Sequence, residues 1–319
     1  MPPTITYRPA APDEASDASA IILAALNDLA ARQGRPILPG PADRAVPALR
    51  HLIDTDAPRF VVADDGDGPV GFGAAMLRDS LRFCGGLFVL PEWQGRGVGR
   101  RLFELAMGEP TGGVQALTSS AANPVSNALY GRRGIYPQLP LLYLTGRLPL
   151  AATAGSVSAE QGRPRVAVGS TAALEFEPLT PTHLNELVEI DVATLGIDRG
   201  RDHRWFQETA LHPGWLVRRR GRATGYVYLG GDGTEGAGAL GPVATLRAQD
   251  QAPVLRFALG QLARRGVEQA TVAVPGANLV AQQLLWGAGF RFPAAAGLFC
   301  ASRPFGRFDR YLLAGDCLM

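Results

Sequence analysis

The chain has 319 residues, of which 46% are hydrophobic and 19% charged, and its formal net charge is +2. This length suits two domains of about 150 residues, and so small a net charge gives no support to a nucleic-acid-binding protein. All 31 strongly basic residues are Arg, and the absence of Lys excludes a Walker phosphate loop and a pyridoxal-phosphate enzyme.

The cysteines and the chain start indicate the compartment. Cys84, Cys300 and Cys317 lie far apart and form no CxxC pair. We therefore expect neither a disulfide framework nor a metal site, and we expect the protein to be cytoplasmic. The N-terminus lacks the basic segment and apolar core of a signal peptide. No apolar run approaches the roughly 20 residues that span a bilayer, so we expect no membrane partner.

The first half predicts a regular succession of elements. In chain order they are a strand at 5–8, helices at 13–32 and 46–53, strands at 60–63, 70–77 and 81–90, a helix at 97–107, a strand at 114–119, a helix at 125–132 and a strand at 141–145. This order is typical of an α+β fold in which helices pack on a mixed, mostly antiparallel sheet.

An internal repeat relates the two halves. Three landmarks recur at a nearly constant shift of 154 or 155 residues: Gly71-Phe72 recurs at Gly225-Tyr226, Val89 and Phe103 at Val243 and Phe257, and Asn123 and Gly134 at Asn278 and Gly289. The repeat predicts two similarly built domains, 1–150 and 173–319, joined by a linker at 151–172 that is rich in small residues. Within that region, 163–168 is also compatible with a strand of the first domain.

The segment from Leu87 to Phe103 predicts an anion site. An apolar strand leads through Pro91 into three alternating glycines and then into an amphipathic helix. Glycines let successive backbone N–H groups point into one concavity, and the helix start adds unpaired N–H groups and a positive dipole end. With the nearby Arg side chains, a pyrophosphate would fit. The residues of this loop are Gln94, Gly95, Arg96, Gly97, Val98, Gly99, Arg100 and Arg101.

The loop has two other interpretations. One is a Gly-rich turn that binds no ligand. The other is a dinucleotide-binding fingerprint, which requires Gly at position 100, where Arg100 stands. That fingerprint also follows the first strand of a βαβ unit and precedes an acidic residue about 20 positions on. Neither condition is met, since 114–119 contains no acid.

These residues resemble the GNAT superfamily of acyl-CoA-dependent N-acetyltransferases. Its central signature is Gln or Arg, two residues, Gly, one residue, then Gly or Ala, after a strand that ends in Val-x-Pro. The matching residues are Val89, Pro91, Gln94, Gly97 and Gly99, and a second family signature is matched by Asn123, Ala128, Leu129, Tyr130, Gly134 and Ile135. The resemblance covers nearly all of 1–150 and weakly the second half, and it implies two tandem GNAT-like domains.

The resemblance also implies a site and a mechanism. An amine would attack the thioester of acetyl-CoA in a ternary complex, while the strand near 88–90 splays from 114–119 and a backbone N–H polarises the carbonyl. Tyr130 would protonate the departing thiolate, which suits a phenol of pKa about 10. Asn123 would cap the following helix. The residues implied to bind the cofactor are Leu87, Phe88, Val89, Gln94 to Arg100, Asn123 and Ser126.

The general base is not identified. Many relatives carry Glu on the strand before the loop, but 81–89 contains no carboxylate, and Glu92 and Asp79 are typical of turns. A water relay and an acceptor that arrives neutral both stay open. Cys84 is compatible with an acyl-enzyme, although a small core residue explains it more simply. No role is assigned to the histidines, which are His51, His183, His203 and His212.

The second half loses the residues used for CoA. Gln94, Gly97 and Gly99 become Ala248, Gln251 and Pro253, and Tyr130 becomes Leu285. Proline has no N–H, so it deletes one donor of the anion site. We therefore expect one active site, in a monomeric pseudo-dimer or a homodimer. The second half would complete the acceptor cleft, with candidate wall residues Trp205, Trp215, Tyr226 and Tyr228.

The sequence therefore predicts an N-acyltransferase that moves an acetyl group from acetyl-CoA to an amine of a small molecule or peptide. Two alternatives stay open. A non-catalytic acyl-CoA sensor would account for the missing base, although it would not need Tyr130. A mycothiol-synthase-like acetyltransferase has a similar tandem form, but its catalytic half is the C-terminal one.

Overall fold

The computed structural model describes residues 4–35, 43, 45–109, 112–148, 158–160, 163–166, 174–209, 212–230, 236–292, 295–315 and 318. Its first half contains β1 (Thr6–Pro9), α1 (Ala15–Arg32), α2 (Val46–Asp56), β2 (Phe60–Asp64), β3 (Pro69–Arg78), β4 (Leu81–Val89), α3 (Val98–Met107), β5 (Val114–Ser120), α4 (Pro124–Arg132) and β6 (Tyr136–Arg147). The predicted order of elements is confirmed, with β6 beginning five residues earlier than expected.

The second half repeats this order and adds three short strands. It contains β7 (Ser158–Glu160), β8 (Arg163–Val166), β9 (Leu174–Pro178), α5 (Leu184–Leu195), α6 (Gly200–Glu208), β10 (Gly214–Arg219), β11 (Arg222–Gly230), β12 (Ala237–Thr245), α7 (Ala248–Arg264), β13 (Gln269–Pro275), α8 (Leu279–Gly287), β14 (Gly297–Ala301) and β15 (Tyr311–Leu312). The strand considered at 163–168 is β8, which pairs with β9 and so adjoins the second half, not the first.

The repeated landmarks have the same local roles in both halves. The side-chain oxygen of Asn123 accepts the N–H of Ser126 at 3.2 Å and caps α4, as predicted. Asn278 accepts the N–H of Ala281 at 3.0 Å and caps α8 in the same way. Gly134 and Gly289 follow these helices with φ of 77° and 86°, a left-handed conformation that ends a helix and favours glycine.

The two halves exchange strands at the centre of one continuous sheet. Its order is β1-β2-β3-β4-β5-β14-β6-β13-β12-β11-β10-β9-β8-β7. Strand β14 of the second half lies between β5 and β6 of the first, and β6 pairs antiparallel with β13. Each half therefore supplies a strand that completes the sheet of the other, and the exchange fixes their relative positions.

Helices cover both faces of this sheet. Buried side chains of α1, α2, α5 and α6 share one core cluster, and the face they cover is called here the central face. On the opposite, outer face α3 and α4 cover the first half and α7 and α8 the second. Within the described ranges no helix has the length and apolarity needed to cross a bilayer.

A buried ionic network joins the halves on the central face. Arg78 of β3 donates to Asp56 of α2 at 2.8 Å and to Asp202 of α6 at 2.6 Å. His51 Nε2 lies 3.0 Å from Asp202, and Arg199 pairs with it at 3.4 Å. Burial alone would raise the pKa of Asp202, but the hydrogen bond with His51 and the two Arg charges hold it well below its usual range. The Asp202 carboxylate is thus an ionised anchor between the halves.

Candidate functional site

Strands β4 and β5 separate partway along their length. They pair in parallel from Leu81 opposite Val114 to Cys84 opposite Leu117, where the register ends. In the β3–β4 ladder the register shifts at the same level and leaves Gly85 as an extra residue. A bulge bends its strand away from its neighbour, so the β4–β5 opening lies where the family resemblance implied it.

The open edge of β4 offers backbone donors. The N–H of Leu90 donates to the carbonyl of Val70 at 2.9 Å. Because donors alternate along an antiparallel ladder, the N–H groups of Leu87 and Val89 point away from β3 and into the opening. Phe88 lies between them, bonds to β3 through its backbone opposite Phe72, and turns its side chain to the central face. Leu87 and Val89 are therefore the better placed of the three predicted contacts.

The glycine loop has the geometry of an anion site. Gly95 and Gly97 have φ of 74° and 85°, a conformation that side chains disfavour. Helix α3 begins at Val98, and the N–H of Arg101 is bonded to the carbonyl of Gly97 at 3.1 Å. The N–H groups of 98–100 are therefore left free by the helix geometry, and a Cβ placed on Gly95 would meet open space. A pyrophosphate fits these donors.

Two loop side chains hold the loop itself. Gln94 Nε2 donates to the carbonyl of Val89 at 2.9 Å, and its Oε1 accepts from Arg32 at 3.0 Å. Its backbone N–H donates to Pro91, so Gln94 positions the loop against β4. The Arg96 guanidinium lies over the Trp93 ring, 5.0 Å from its centroid, which keeps a positive charge beside the loop.

Tyr130 lies at the apex of the opening. It is 6% exposed and belongs to the same outer-face cluster as Cys84 and Leu117, the last β4–β5 pair. Its ring is 5.2 Å from that of Phe103. Burial raises the pKa of Tyr130, the nearby Cys84 adds to the rise, and a hydrogen bond with Ser126 opposes it. The phenol therefore stays protonated, and Ser126 orients it.

The cysteines of the outer face remain thiols. Burial raises the pKa of Cys84 to about 12 and that of Cys300 to about 11. Since the thiolate is the nucleophile, the structure argues against the acyl-enzyme considered for Cys84. Cys317 lies outside the described residues. Among the residues that are described, no group of His, Cys, Asp and Glu is placed to hold a metal ion.

The structure adds no carboxylate to the central-face side of β4. The positions there are Leu81, Phe83, Gly86 and Phe88. Asp79 lies in the turn before β4, where its carboxylate accepts the N–H of Asp198 at 2.6 Å. Glu92 lies in a short turn after β4. Both acids are exposed turn residues, as the sequence predicted.

The corresponding opening of the second half is filled by the chain itself. Strands β12 and β13 pair up to Leu240 opposite Val272, and Val272 corresponds to Leu117 at the shift of 155. Beyond that point β15 pairs with β12 at Val243 and Ala244. The C-terminal strand therefore occupies the space that the pantetheine arm would need.

The anion loop of the second half is also replaced. Helix α7 begins at Ala248 and includes Pro253, so an additional helical turn stands where the first half has its glycine loop. Asp250, at the position of Arg96, is fully buried and paired with Arg219. A carboxylate at this helix N-terminus repels phosphate. The backbone N–H that Pro253 lacks, as predicted from the sequence, is a second loss.

The aromatic residues suggested as cleft walls are instead part of the core. Tyr226 donates to Asp191, and the hydroxyl of Tyr228 lies 3.0 Å from His203 Nδ1, with both tyrosines fully buried. Trp205 stacks on His51 at 4.8 Å between ring centroids, and the nearly buried Trp215 packs on the outer face. The sequence assigned no role to His51 and His203, because their hydrogen-bond partners are more than ten residues away in the chain.

The comparison with known families agrees with this geometry. Residues 56–134 match the model of the acetyltransferase (GNAT) domain, a segment that contains the β4–β5 opening, the glycine loop and Tyr130. This part of the first half is therefore similar to a GNAT domain.

Solved structures show that the whole chain has a tandem GNAT fold. A possible acetyltransferase from Pyrococcus horikoshii aligns with a TM-score of 0.69 and 16% identity over 96% of this chain and 92% of its own. A tandem GNAT protein from the clavulanic acid biosynthesis pathway aligns with a TM-score of 0.55 and 19% identity, over 94% of this chain and 99% of its own. Saccharomyces cerevisiae N-myristoyltransferase with bound myristoyl-CoA aligns with a TM-score of 0.59 and 10% identity, over 96% of this chain and 84% of its own. A comparison with curated protein sequences found no match.

The free N–H of Gly99 provides a test of the GNAT loop. We expect Gly99→Pro to weaken acetyl-CoA binding about 10- to 100-fold, because it removes one charge-assisted hydrogen bond while proline is tolerated in a first helical turn. The matched control is Gly99→Ala, whose Cβ would meet Val89 at an ordinary 3.6 Å and which keeps the N–H. Isothermal titration calorimetry measures both affinities, and equal affinities would show that the loop does not bind the cofactor through this donor.

Proposed function

We propose that this protein transfers an acyl group, acetyl in the simplest case, from acyl-CoA to an amine, at a single site in its first half. The observation that carries the proposal is the alignment of three features along one opening. The glycine loop suits the pyrophosphate, the N–H groups of Leu87 and Val89 suit the pantetheine arm and the thioester carbonyl, and the protonated Tyr130 suits the sulfur.

The residues support direct transfer. The acceptor nitrogen attacks the thioester carbonyl carbon, a C–N bond forms, and the negative charge that develops on oxygen is stabilised by an N–H of the β4 edge. The C–S bond then breaks and Tyr130 gives its proton to the departing thiolate. The proton that the nitrogen loses passes to water, and the Tyr130 phenolate recovers a proton from water, so the products are the amide and CoA.

The proposal includes one cofactor site per chain. Calorimetric titration with acetyl-CoA should give one molecule bound per chain, because β15 and Asp250 occupy the corresponding space of the second half. Binding should also raise the Tm, since a ligand at 100 times its Kd adds about 2.7 kcal/mol to the free energy of unfolding. Two molecules per chain would contradict the single site, and no Tm shift at millimolar acetyl-CoA would contradict the proposal as a whole.

The second candidate function is an acyl-CoA sensor without catalysis, which the absence of a carboxylate on β4 favours. A thiol-release assay over a panel of amines separates the two, because a sensor binds acetyl-CoA and releases no CoA. A mycothiol-synthase-like enzyme is disfavoured by the filled opening of the second half. The free thiols Cys84 and Cys300 support work in a reducing compartment, the cytoplasm, and the internal strand exchange supports a monomeric pseudo-dimer.

A further inference from the structure

The acceptor must reach the β4–β5 opening from the central face. On the outer face the opening is backed by Tyr130, Phe103 and Leu117, which are buried together under α3 and α4. A thiolate that takes the Tyr130 proton leaves toward that side. The attacking nitrogen therefore approaches from the other side, between the opening and the helix α1.

The side chains on this approach are uncharged. Phe88 of β4 and Leu90 just after it pack against the central core. Ala116 of β5 is in the same core, and alternation along the strand places Thr118 and Ser120 on the same face. Phe88, Leu90, Thr118 and Ser120 are half-buried. They are apolar or hydroxyl side chains, and none of them can neutralise a cation or serve as a carboxylate base.

The Arg78 network of the central core is too far away to act as a base. Arg78 lies opposite Leu81 in the β3–β4 ladder, at the closed end of the strand pair, and it holds the Asp56 and Asp202 carboxylates there. Phe88, at the open end, is seven residues further along β4, or about 20 Å at the rise of an extended strand. The network therefore stabilises the fold and does not take a proton from the acceptor.

On the α1 side of the opening the acid is already paired. Asp28 and Arg32 of α1 form an ion pair at 2.5 Å. Gln33 donates to the carbonyl of Ala122 at 2.7 Å and accepts from Arg35 at 3.4 Å, which places the Arg35 guanidinium beside the mouth. A rim with this positive charge disfavours a polycationic acceptor.

Building on the proposed acyltransfer function, we infer that the acceptor is a small amine with an uncharged, apolar body, which attacks as the neutral amine without a protein base. A charged body on this face would be buried without a partner, which is costly. An ammonium nitrogen has no lone pair for attack, so only the neutral fraction of the acceptor reacts. Polyamines and lysine-rich peptides are correspondingly poor acceptors.

The first test compares four acceptors by thiol release from acetyl-CoA: aniline, benzylamine, spermidine and a lysine-containing peptide. We expect kcat/KM for the two apolar amines to exceed that for the two cationic ones by about 100-fold or more. Between pH 6 and 8 we expect kcat/KM for benzylamine to rise about tenfold per pH unit with its neutral fraction, and that for aniline, already neutral, to stay level. A higher kcat/KM for spermidine or the peptide would overturn the inference and leave acyl transfer intact. The same would follow if the pH profiles of kcat/KM for benzylamine and aniline both showed the same pKa, since that pKa would belong to a group of the enzyme.

The second test changes the wall of the approach. Phe88→Asp should lower kcat/KM for benzylamine at least about tenfold relative to that for spermidine, while Phe292→Asp, the same change at a residue 39% exposed in the second half, should leave this ratio unchanged. An unchanged ratio in a folded Phe88→Asp protein would overturn the inference; if that variant does not fold, the wild-type pH profiles decide. One acetyl-CoA bound per chain with no thiol release for any amine would instead contradict the proposed function, and the inference with it.

Discussion

The Tyr130→Phe variant should release CoA about 100-fold more slowly than the wild type and bind acetyl-CoA with nearly unchanged affinity, because general acid catalysis typically contributes a factor of that size or more. Phenylalanine keeps the ring packed against Phe103 and removes only the hydroxyl. Thiol release with the best acceptor measures kcat, and calorimetry measures the Kd.

The matched control is Tyr136→Phe, which makes the same change at a tyrosine 57% exposed outside the opening and should leave both constants unchanged. Because burial raises the pKa of Tyr130, its proton is kept to higher pH than in a free phenol. The rate with aniline should therefore show no alkaline fall between pH 8 and 10. A kcat within about twofold of wild type for Tyr130→Phe would remove Tyr130 from the proton transfer.

The parts of the molecule that the sequence predicts are those determined by short segments. Gly95 and Gly97 adopt the left-handed conformations that a glycine loop before a helix implies, and α3 begins within one residue of its predicted start. Asn123 caps α4 as an Asn before a helix should. In each case the interacting groups are only a few residues apart, so the pattern in the chain contains the interaction.

The strand exchange could not be predicted in this way. The patterns of β6 and β14 indicate strands, but alternation along a strand does not say which neighbour it pairs with. Comparison of the halves showed that Pro253 and Leu285 replace residues of the predicted CoA site, yet it could not show that β15, only two residues long, fills the second opening. The Arg78–Asp202 pair joins residues 124 apart, and one sequence without a structure gives no sign of such a contact.

That buried pair leads to the largest expected effect on stability. Asp202→Asn should lower the free energy of unfolding at pH 7 by about 3–5 kcal/mol, the usual result of removing one partner of a buried ion pair. The variant leaves the Arg78 and Arg199 charges without their shared carboxylate, at a place where both halves meet. Urea denaturation measures the loss. The control is Asp309→Asn, at a carboxylate 41% exposed that also pairs with two arginines and should cost no more than about 1 kcal/mol.

The dependence of this loss on pH distinguishes an ionic role from simple packing. Burial works against ionisation of Asp202, but its His51 and Arg partners lower its pKa in the folded state below the unfolded value of about 3.9. The stabilisation is therefore complete above about pH 4 and decreases as the pH falls toward the folded pKa, by about 1.4 kcal/mol per pH unit. The difference between wild type and Asp202→Asn should shrink by about that amount from pH 7 to pH 3. An equal difference at both pH values would mean that Asp202 stabilises the junction of the halves through its shape and hydrogen bonds and not through its charge.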